Sequence, residues 1–360
     1  MFQPGWRRSV WSQGVTLIVQ YLGRLWKWLK WPVALGILAW LYWQNSEALE
    51  QIAQGPKEWG WLLLAVGMIG GATLITFFRW YLLVRGQKIP FRVRDALRLG
   101  FVGLLSNYIA PGSVGGDIVK AFLLAREHPT RRTVAVASVL LDRILGLLAL
   151  FMVGAVASLL PIQAPDTPEL RAVPWLLWGG SLGGLTGVGL MLIPRLTRLN
   201  WVRRMSRLPL VGRAVGELIT GIELYQTQPG VLLGALGLSV LGHAGLIGGF
   251  FCCALWMRQP WIPDLTTHFF FMPIAELFGV LIPTPGGVGA LEEAIKWFYV
   301  NLSPAGVTIE QAAGAGLMAA LAFRVVTVGI AAIGGAYYFT ARREIAAALH
   351  DAELTPEESA

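Results

Sequence analysis

The feature that most constrains the fold of this chain is a series of apolar stretches, each about as long as a lipid bilayer is thick. A helix needs about 20 mostly apolar residues to cross the hydrocarbon core of roughly 30 Å. Stretches of this kind occupy residues 59–84, 133–160, 174–193, 229–257 and 311–340, and a shorter one lies at 31–43. We therefore predict an all-α polytopic membrane protein with about six spanning helices.

The composition agrees with this class of protein. Only 14% of the residues are charged and 55% are hydrophobic, whereas soluble domains carry about 25% charged residues. The 43 glycines and 16 tryptophans are typical of membrane helices and of membrane interfaces. An ordinary soluble domain, a disordered chain and a disulfide scaffold are excluded. Cys252 and Cys253 are adjacent in an apolar run without metal-ligand spacing, and we expect neither metal nor cofactor.

The basic residues are concentrated between the apolar stretches, in the segment 7–30, the loops 85–98 and 195–213, and the start of the tail at 342–343. By the positive-inside rule these regions are cytoplasmic, as are both termini. The net charge of +8 is thus explained by topology, and nucleic-acid binding is not expected. We predict multi-pass insertion in a bacterial cytoplasmic (inner) membrane.

The predicted domain organisation is simple. A cytoplasmic or interfacial segment covers residues 1–30, a single transmembrane domain covers 31–340, and a cytoplasmic tail covers 341–360. The transmembrane domain divides into halves at about 31–165 and 174–340. Three predicted spans lie in each half, so the two halves have opposite orientation.

Two further apolar stretches, at 97–124 and 268–300, are interrupted in the middle by proline and glycine. A full span at either place would break the alternation of loop charge. Broken helices at membrane depth are tolerated where protein or a water-filled cavity satisfies the backbone. We therefore predict two re-entrant hairpins, the first entering from the cytoplasmic side and the second from outside.

The two interruptions share a pattern. Residues 111–115 and 285–289 both follow P-G-x-V-G, and a carboxylate follows each proline, Asp117 after six positions and Glu292 after seven. Arg143 and Arg324 then lie 32 and 39 residues after the prolines, each inside a predicted span. Interrupted segments at corresponding positions of two inverted halves indicate a transporter binding site.

Both arginines are expected near the bilayer midplane, since Arg143 lies roughly 15 Å and Arg324 roughly 18 Å into its helix at 1.5 Å per residue. A charge at that depth costs about 2.5–3.5 kcal/mol unless it faces a partner or a wet cavity. We predict that Asp117 pairs with Arg143. By symmetry, Glu292 or Glu293 pairs with Arg324.

Two interpretations of these charges stay open. The ion pairs either lock hairpin to span, or they belong to one cavity that binds an anionic group through arginine forks and glycine-rich backbone. In the second case the substrate-binding residues are Arg143, Arg324, Asp117, Lys120, Asp142, Glu292, Asn107, Gly112, Gly115, Gly116, Gly286, Gly287 and Gly289. Glu276 and Glu293 are the candidates for proton coupling, and no catalytic residue is predicted.

Three other residues receive structural interpretations. Arg79 lies about 30 Å along its span, and we expect it to anchor the helix at the cytoplasmic interface. His243 acts either as a base or as a hydrogen-bonded filler among glycines. Glu293 with Lys296 forms an i,i+3 pair on a solvated helix face.

Three strings carry a family resemblance: NYIAPGSVGGDIVKAFLL at 107–124, LDR at 141–143 and PTPGGVGALE at 283–292. They resemble the membrane region of lysylphosphatidylglycerol synthase, which also occurs in stand-alone flippase-like proteins, and the resemblance covers about 51–340. It implies re-entrant helices and lipid translocation, with Asp117, Asp142, Arg143, Glu292 and Arg324 at functional positions. Because the chain ends about 20 residues after its last predicted span, we expect it not to aminoacylate lipids.

The leading hypothesis is a flippase-like transporter of an anionic or phosphate-bearing lipid, with a cleft between the two glycine-proline turns and the midplane arginines. The expected ligand is a phospholipid, a glycolipid or a polyprenyl-phosphate-linked lipid. A lipid-modifying enzyme and further copies of the chain are candidate protein partners. The first alternative is a non-transporting accessory or lipid-binding subunit of a lipid- or glycolipid-modifying pathway. A membrane-embedded transferase or phosphatase is the other alternative, although no nucleotide-binding loop or catalytic motif indicates an enzyme.

Overall fold

Helices account for all the regular secondary structure in the described part of the chain, and no strand occurs there. A computed structural model describes residues 57–108, 115–162, 167–197, 212–259, 261–282 and 287–353. The predicted N-terminal segment 1–30 and the short span at 31–43 lie outside these ranges, as do Gly112 and Gly286.

The helices run in this order: α1 Trp59–Gly86, α2 Val93–Asn107, α3 Gly115–Glu127, α4 Arg132–Ala157, α5 Pro168–Met191, α6 Pro194–Thr197, α7 Gly212–Gln226, α8 Pro229–Trp256, α9 Leu265–Leu281, α10 Ala290–Asn301 and α11 Ile309–Glu353. One 3₁₀ turn, Pro129–Arg131, leads directly into α4.

Four helical segments are long and apolar enough to cross a membrane: Trp59–Gly86, Pro129–Ala157, Pro229–Trp256 and Ile309–Ala336. They match four of the predicted spans, and the all-α polytopic fold class is confirmed. The predicted span at 174–193 is helical as α5 but is not among the four. Its many glycines lower the mean hydropathy, and its spanning character stays a prediction.

The two interrupted stretches form two helix pairs. In the first pair, α2 with 15 residues packs on α3 with 13, and in the second, α9 with 17 packs on α10 with 12. At 1.5 Å per residue, the longest of the four measures only about 26 Å. None of these helices has the roughly 20 residues needed to cross a bilayer alone. Their lengths agree with re-entrant hairpins, which stay a prediction because the structure contains no membrane.

Close packing of α8 on α1 positions the polar residues described below. A Cβ added at Gly248 would lie 2.4 Å from Cε of Met68, and one at Gly249 would lie 2.5 Å from Cγ1 of Ile69. The two helix backbones therefore approach one another where side chains are absent. This contact carries the α8 side chains Ser239 and His243 to the face of α1.

Some of the glycines of α5 allow close helix packing. An added Cβ would lie 2.6 Å from Phe151 at Gly180 and 2.9 Å from Leu148 at Gly184, and both neighbours belong to α4. Gly179, on another face of α5, has nothing within 4 Å. One stripe of the helix is thus packed on α4.

Candidate functional site

The first cluster of charged residues joins the first hairpin to the following helix. Asp117 lies in the first turn of α3, and its Oδ1 is 2.8 Å from Nζ of Lys120, one turn later. The Nε of Arg143 on α4 donates to Oδ2 of the same carboxylate. The predicted pairing of Asp117 with Arg143 is therefore confirmed.

The environment of this cluster differs from one cation to the other. Lys120 is buried, and its ammonium lies 5.2 Å from the ring centroid of Trp80, within cation–π range. The side chain of Arg143 remains 38% exposed. One cationic side chain is thus buried in the protein, while the other is partly exposed.

Glycines allow the two helices of the first hairpin to touch. Gly115 and Gly116 are buried at the start of α3, and a Cβ added to Gly116 would lie 2.0 Å from the carbonyl oxygen of Gly103 on α2. The backbone N–H of Gly116 donates to Oδ1 of Asn107 at 2.7 Å. Asn107 thus bridges the two helices of this hairpin.

The second cluster joins the second hairpin to α11. Arg324 donates from Nε and from Nη2 to Oε1 of Glu292, at 2.9 Å and 2.6 Å, and each side chain is only 9% exposed. The other oxygen of Glu292 accepts from the N–H of Gly289 at 2.7 Å, at the start of α10. Of the two predicted partners of Arg324, the structure selects Glu292. Glu293 instead lies on the exposed face and pairs with Lys296 at 2.7 Å, as predicted.

Backbone conformation explains two glycines of the second break. Gly287 and Gly289 have φ angles of +69° and +86°, in the region that favours glycine. A Cβ added to Gly287 would also lie 2.6 Å from the carbonyl oxygen of Gly279 on α9. The second hairpin thus resembles the first, because in each a glycine of the return segment meets a carbonyl of the first helix.

The two clusters correspond in three respects. Each has a glycine–carbonyl contact across the hairpin, a side-chain oxygen that accepts a backbone N–H at the break, and a carboxylate paired with an arginine on the next long helix. These common contacts support the predicted repeat, whose inversion stays a prediction.

A third ion pair was not predicted. Arg79 on α1 lies with its Nε 2.7 Å from Oδ1 of Asp142 on α4, and both side chains are almost fully buried. Its Nη1 donates to Oγ of Ser239 on α8 at 2.9 Å. The expected interfacial anchor is therefore wrong. Arg79 joins three helices inside the bundle, and distance along its own helix does not reveal the packing of α4 and α8 around it.

One signal in the sequence points to this pair. Asp142 and Arg143 are neighbours about 100° apart on a helix, so they cannot both face Asp117. Asp142 then needs a cation from elsewhere, and Arg79 is an arginine inside another predicted span. The structure provides that partner.

His243 connects α8 to two other helices. Its Nε2 lies 3.0 Å from the carbonyl oxygen of Gly146 on α4, and its Nδ1 lies 3.5 Å from Oε2 of Glu276 on α9. The Oε1 atom of Glu276 is buried and has no hydrogen-bond partner within the described ranges. The first contact shows that His243 is hydrogen-bonded, as the filler interpretation expects, and its action as a base stays a prediction. The second adds a carboxylate neighbour that the sequence did not predict.

A cavity of about 260 Å³ with a mostly apolar wall lies between α1, α2, α8 and α11. Arg79 and His243 are part of its wall, and neither Arg143 nor Arg324 is. The predicted joint cleft of those two arginines stays a prediction.

In the part of the chain that the structure describes, no group of three or more His, Cys, Asp or Glu side chains could hold a metal ion.

Comparison with known proteins gives one match. A family model described as the lysylphosphatidylglycerol synthase TM region matches residues 27–335, which is most of the chain. No curated protein and no solved structure matches it.

Proposed function

Because this chain belongs to the family of the lysylphosphatidylglycerol synthase TM region, we propose that it moves an anionic or phosphate-bearing lipid between the leaflets of a membrane. The family gives it a lipid-related role in a membrane, and its apolar helices make it a multi-pass membrane protein. Flippase-type movement, a bacterial inner-membrane location and cytoplasmic termini are the further elements of the proposal. In this proposal the chain is a transporter and not an enzyme.

The observation that carries the proposal is the charge cluster of the first hairpin. Lys120 and Arg143 both contact the carboxylate of Asp117, and the side chain of Arg143 is 38% exposed. Guanidinium and ammonium groups are the side chains that bind phosphate, the former in a bidentate manner. A phosphate group that reaches Arg143 can therefore replace part of its contact with Asp117.

The arginine that corresponds to Arg143 at the second hairpin is Arg324, and it differs in being buried. Arg324 is held by two hydrogen bonds to Glu292, and both side chains are buried. In the proposed cycle, the lipid phosphate contacts the accessible Arg143 first, and Arg324 receives it when the second hairpin opens. The acyl chains remain in the bilayer throughout.

The energy source of the proposed transport is either the lipid gradient or an ion gradient. Glu276 remains our candidate for a proton carrier, since its carboxylate is mostly buried beside His243. Glu293 is a weaker candidate, because its side chain is 68% exposed and lies beside Lys296.

The test is lipid movement by the purified full chain in liposomes. Vesicles contain a trace of phosphatidylglycerol with a fluorescent headgroup, and dithionite quenches only the label in the outer leaflet. The wild-type protein is expected to expose the inner-leaflet label. The Arg143→Ala, Arg324→Ala double variant is expected to slow this at least about tenfold, since a charge-assisted contact contributes about 1.5–3 kcal/mol.

Arg258 provides the matched control. It is an exposed arginine whose Nε lies 2.6 Å from Oε1 of Glu58, and Arg258→Ala is expected to leave the rate unchanged. Melting temperature and elution volume establish that each variant is folded. Undiminished movement by the folded double variant would falsify the role of the arginines, and no movement by the wild type would exclude phosphatidylglycerol as substrate.

A further inference from the structure

The cavity between α1, α2, α8 and α11 carries several hydroxyl groups in an otherwise mostly apolar wall. Thr73 and Thr76 contribute from α1, Thr327 from α11 and Tyr108 from the end of α2. Its volume is about 260 Å³, whereas an apolar cavity of about 150 Å³ holds a benzene molecule. The space is therefore large enough for a substituted six-membered ring.

Each threonine hydroxyl of the wall already donates a hydrogen bond to a backbone carbonyl oxygen of its own helix. Thr73 donates to the carbonyl oxygen of Ile69 at 2.8 Å, Thr76 to that of Ala72 at 3.0 Å, and Thr327 to that of Arg324 at 3.1 Å. A carbonyl oxygen can only accept, so the hydroxyl is the donor in each contact. The lone pairs of three threonine oxygens remain, and the threonines therefore act as acceptors.

Some N–H groups of the wall also donate hydrogen bonds to other groups of the protein. Arg79 donates from Nε to Asp142 and from Nη1 to Ser239. The Nε2 atom of His243 faces the carbonyl oxygen of Gly146 and must therefore donate to it. Two of the five N–H groups of Arg79 are used in these contacts, so the wall offers donors as well as acceptors.

The charge of the wall disfavours a bare anion. The positive charge of Arg79 is balanced by Asp142 at 2.7 Å, and Glu276 adds a carboxylate behind His243 at 3.5 Å. No excess positive charge of this wall is directed at a phosphate. A ligand that both donates and accepts hydrogen bonds without a charge of its own matches this wall best.

We propose that this cavity binds a polyhydroxyl group, such as the inositol or glycosyl headgroup of a membrane lipid, and selects it from other headgroups of equal charge. Hydroxyl hydrogens of the ligand donate to Thr73, Thr76 and Thr327. This inference rests on the proposed function in one respect, namely that the ligand is part of a membrane lipid.

The experiment measures the melting temperature of the purified full chain in detergent, followed by its intrinsic tryptophan fluorescence. Short-chain phosphatidylinositol is compared with phosphatidylethanol, which has the same charge but no headgroup hydroxyl. A ligand that binds only the folded state raises the melting temperature. We expect a rise of several degrees with saturating phosphatidylinositol and little change with phosphatidylethanol. Free myo-inositol is the third arm and separates a lipid from a soluble polyol.

The test variant is Thr73→Val with Thr76→Val, which preserves the shape of both side chains and removes two acceptors. It is expected to abolish the difference between the two lipids. Ser181→Ala is the control, because Ser181 donates to the carbonyl oxygen of Leu177 at 2.7 Å in the same manner on α5, outside the cavity. Thr327→Val provides a second variant on another helix if the double variant does not fold.

Each outcome decides the matter. Equal responses to the two lipids, no response to either, or a difference that survives in the threonine variants overturns the proposal. A response to free myo-inositol alone assigns the cavity to a soluble polyol and overturns the lipid source. The measurement involves no transport. A negative result therefore does not bear on the proposed translocation, which is tested separately through Arg143 and Arg324.

Discussion

Arg79 and Asp142 form a buried ion pair across α1 and α4, with the arginine Nε 2.7 Å from Oδ1 of the aspartate. Asp142 thereby faces one partner while its neighbour Arg143 faces another, Asp117. Adjacent residues on α4 thus connect that helix both to α1 and to the first hairpin. Changes at either residue are expected to affect different contacts.

The first prediction concerns the stability of this pair. Asp142→Asn leaves the guanidinium of Arg79 without its counter-charge in an apolar interior, and we expect a loss of about 3–5 kcal/mol. Replacing both residues, with Arg79→Met and Asp142→Leu, removes both buried charges and is expected to lose less than Asp142→Asn alone. Thermal unfolding in detergent measures both. Arg258→Gln, in an exposed pair with Glu58, is the control, with an expected change of at most about 1 kcal/mol. A double variant as unstable as Asp142→Asn would contradict the prediction.

The second prediction concerns the contact within the first hairpin. A methyl group at Gly116 would lie 2.0 Å from the carbonyl oxygen of Gly103, and backbone cannot move aside as a flexible side chain can. We therefore expect Gly116→Ala to separate α2 from α3, to lower the melting temperature and to reduce lipid movement. Gly237→Ala is the matched change on α8, where nothing lies within 4 Å, and alanine there favours the helix. Equal effects of the two substitutions would show that the close approach is unimportant.

The third prediction separates the two roles of Glu292. One of its oxygens pairs with Arg324, and the other accepts the N–H of Gly289. Glu292→Gln keeps an oxygen for the backbone N–H and removes the charge, whereas Glu292→Ala removes both contacts. We expect the alanine variant to be less stable than the glutamine variant by about 0.5–2 kcal/mol, the usual contribution of a helix cap. Unfolding measurements that rank the two variants in the opposite order would refute the capping role.

The sequence predicts the local relationships of this fold better than the distant ones. The pairs of Asp117 with Arg143 and of Glu292 with Arg324 were predictable, because each carboxylate follows a break and each arginine lies at a matching depth in the next apolar helix. The pair of Arg79 with Asp142 joins residues 63 positions apart. No periodicity relates them, since their contact depends on how α1 and α4 rotate against one another.

The contact of His243 with Glu276 shows the same limit. Each residue is a single polar group in an apolar run, and the sequence indicates only that each needs some partner. Which one it receives depends on the crossing of α8, α9 and α4. The sequence does not reveal the cavity that contains Thr73 and Thr76 either, because threonine on an apolar helix normally bonds to its own backbone.

The glycine contacts of the hairpins have a mechanical consequence. Where Gly116 touches Gly103 and Gly287 touches Gly279, backbone lies against backbone, and rotation of a side chain cannot widen that contact. We therefore expect the two helices of each hairpin to move together as one rigid body. Movement of a hairpin therefore requires a change where it is attached, at its ion pair with α4 or α11. Any opening of the bundle has to break these ion pairs.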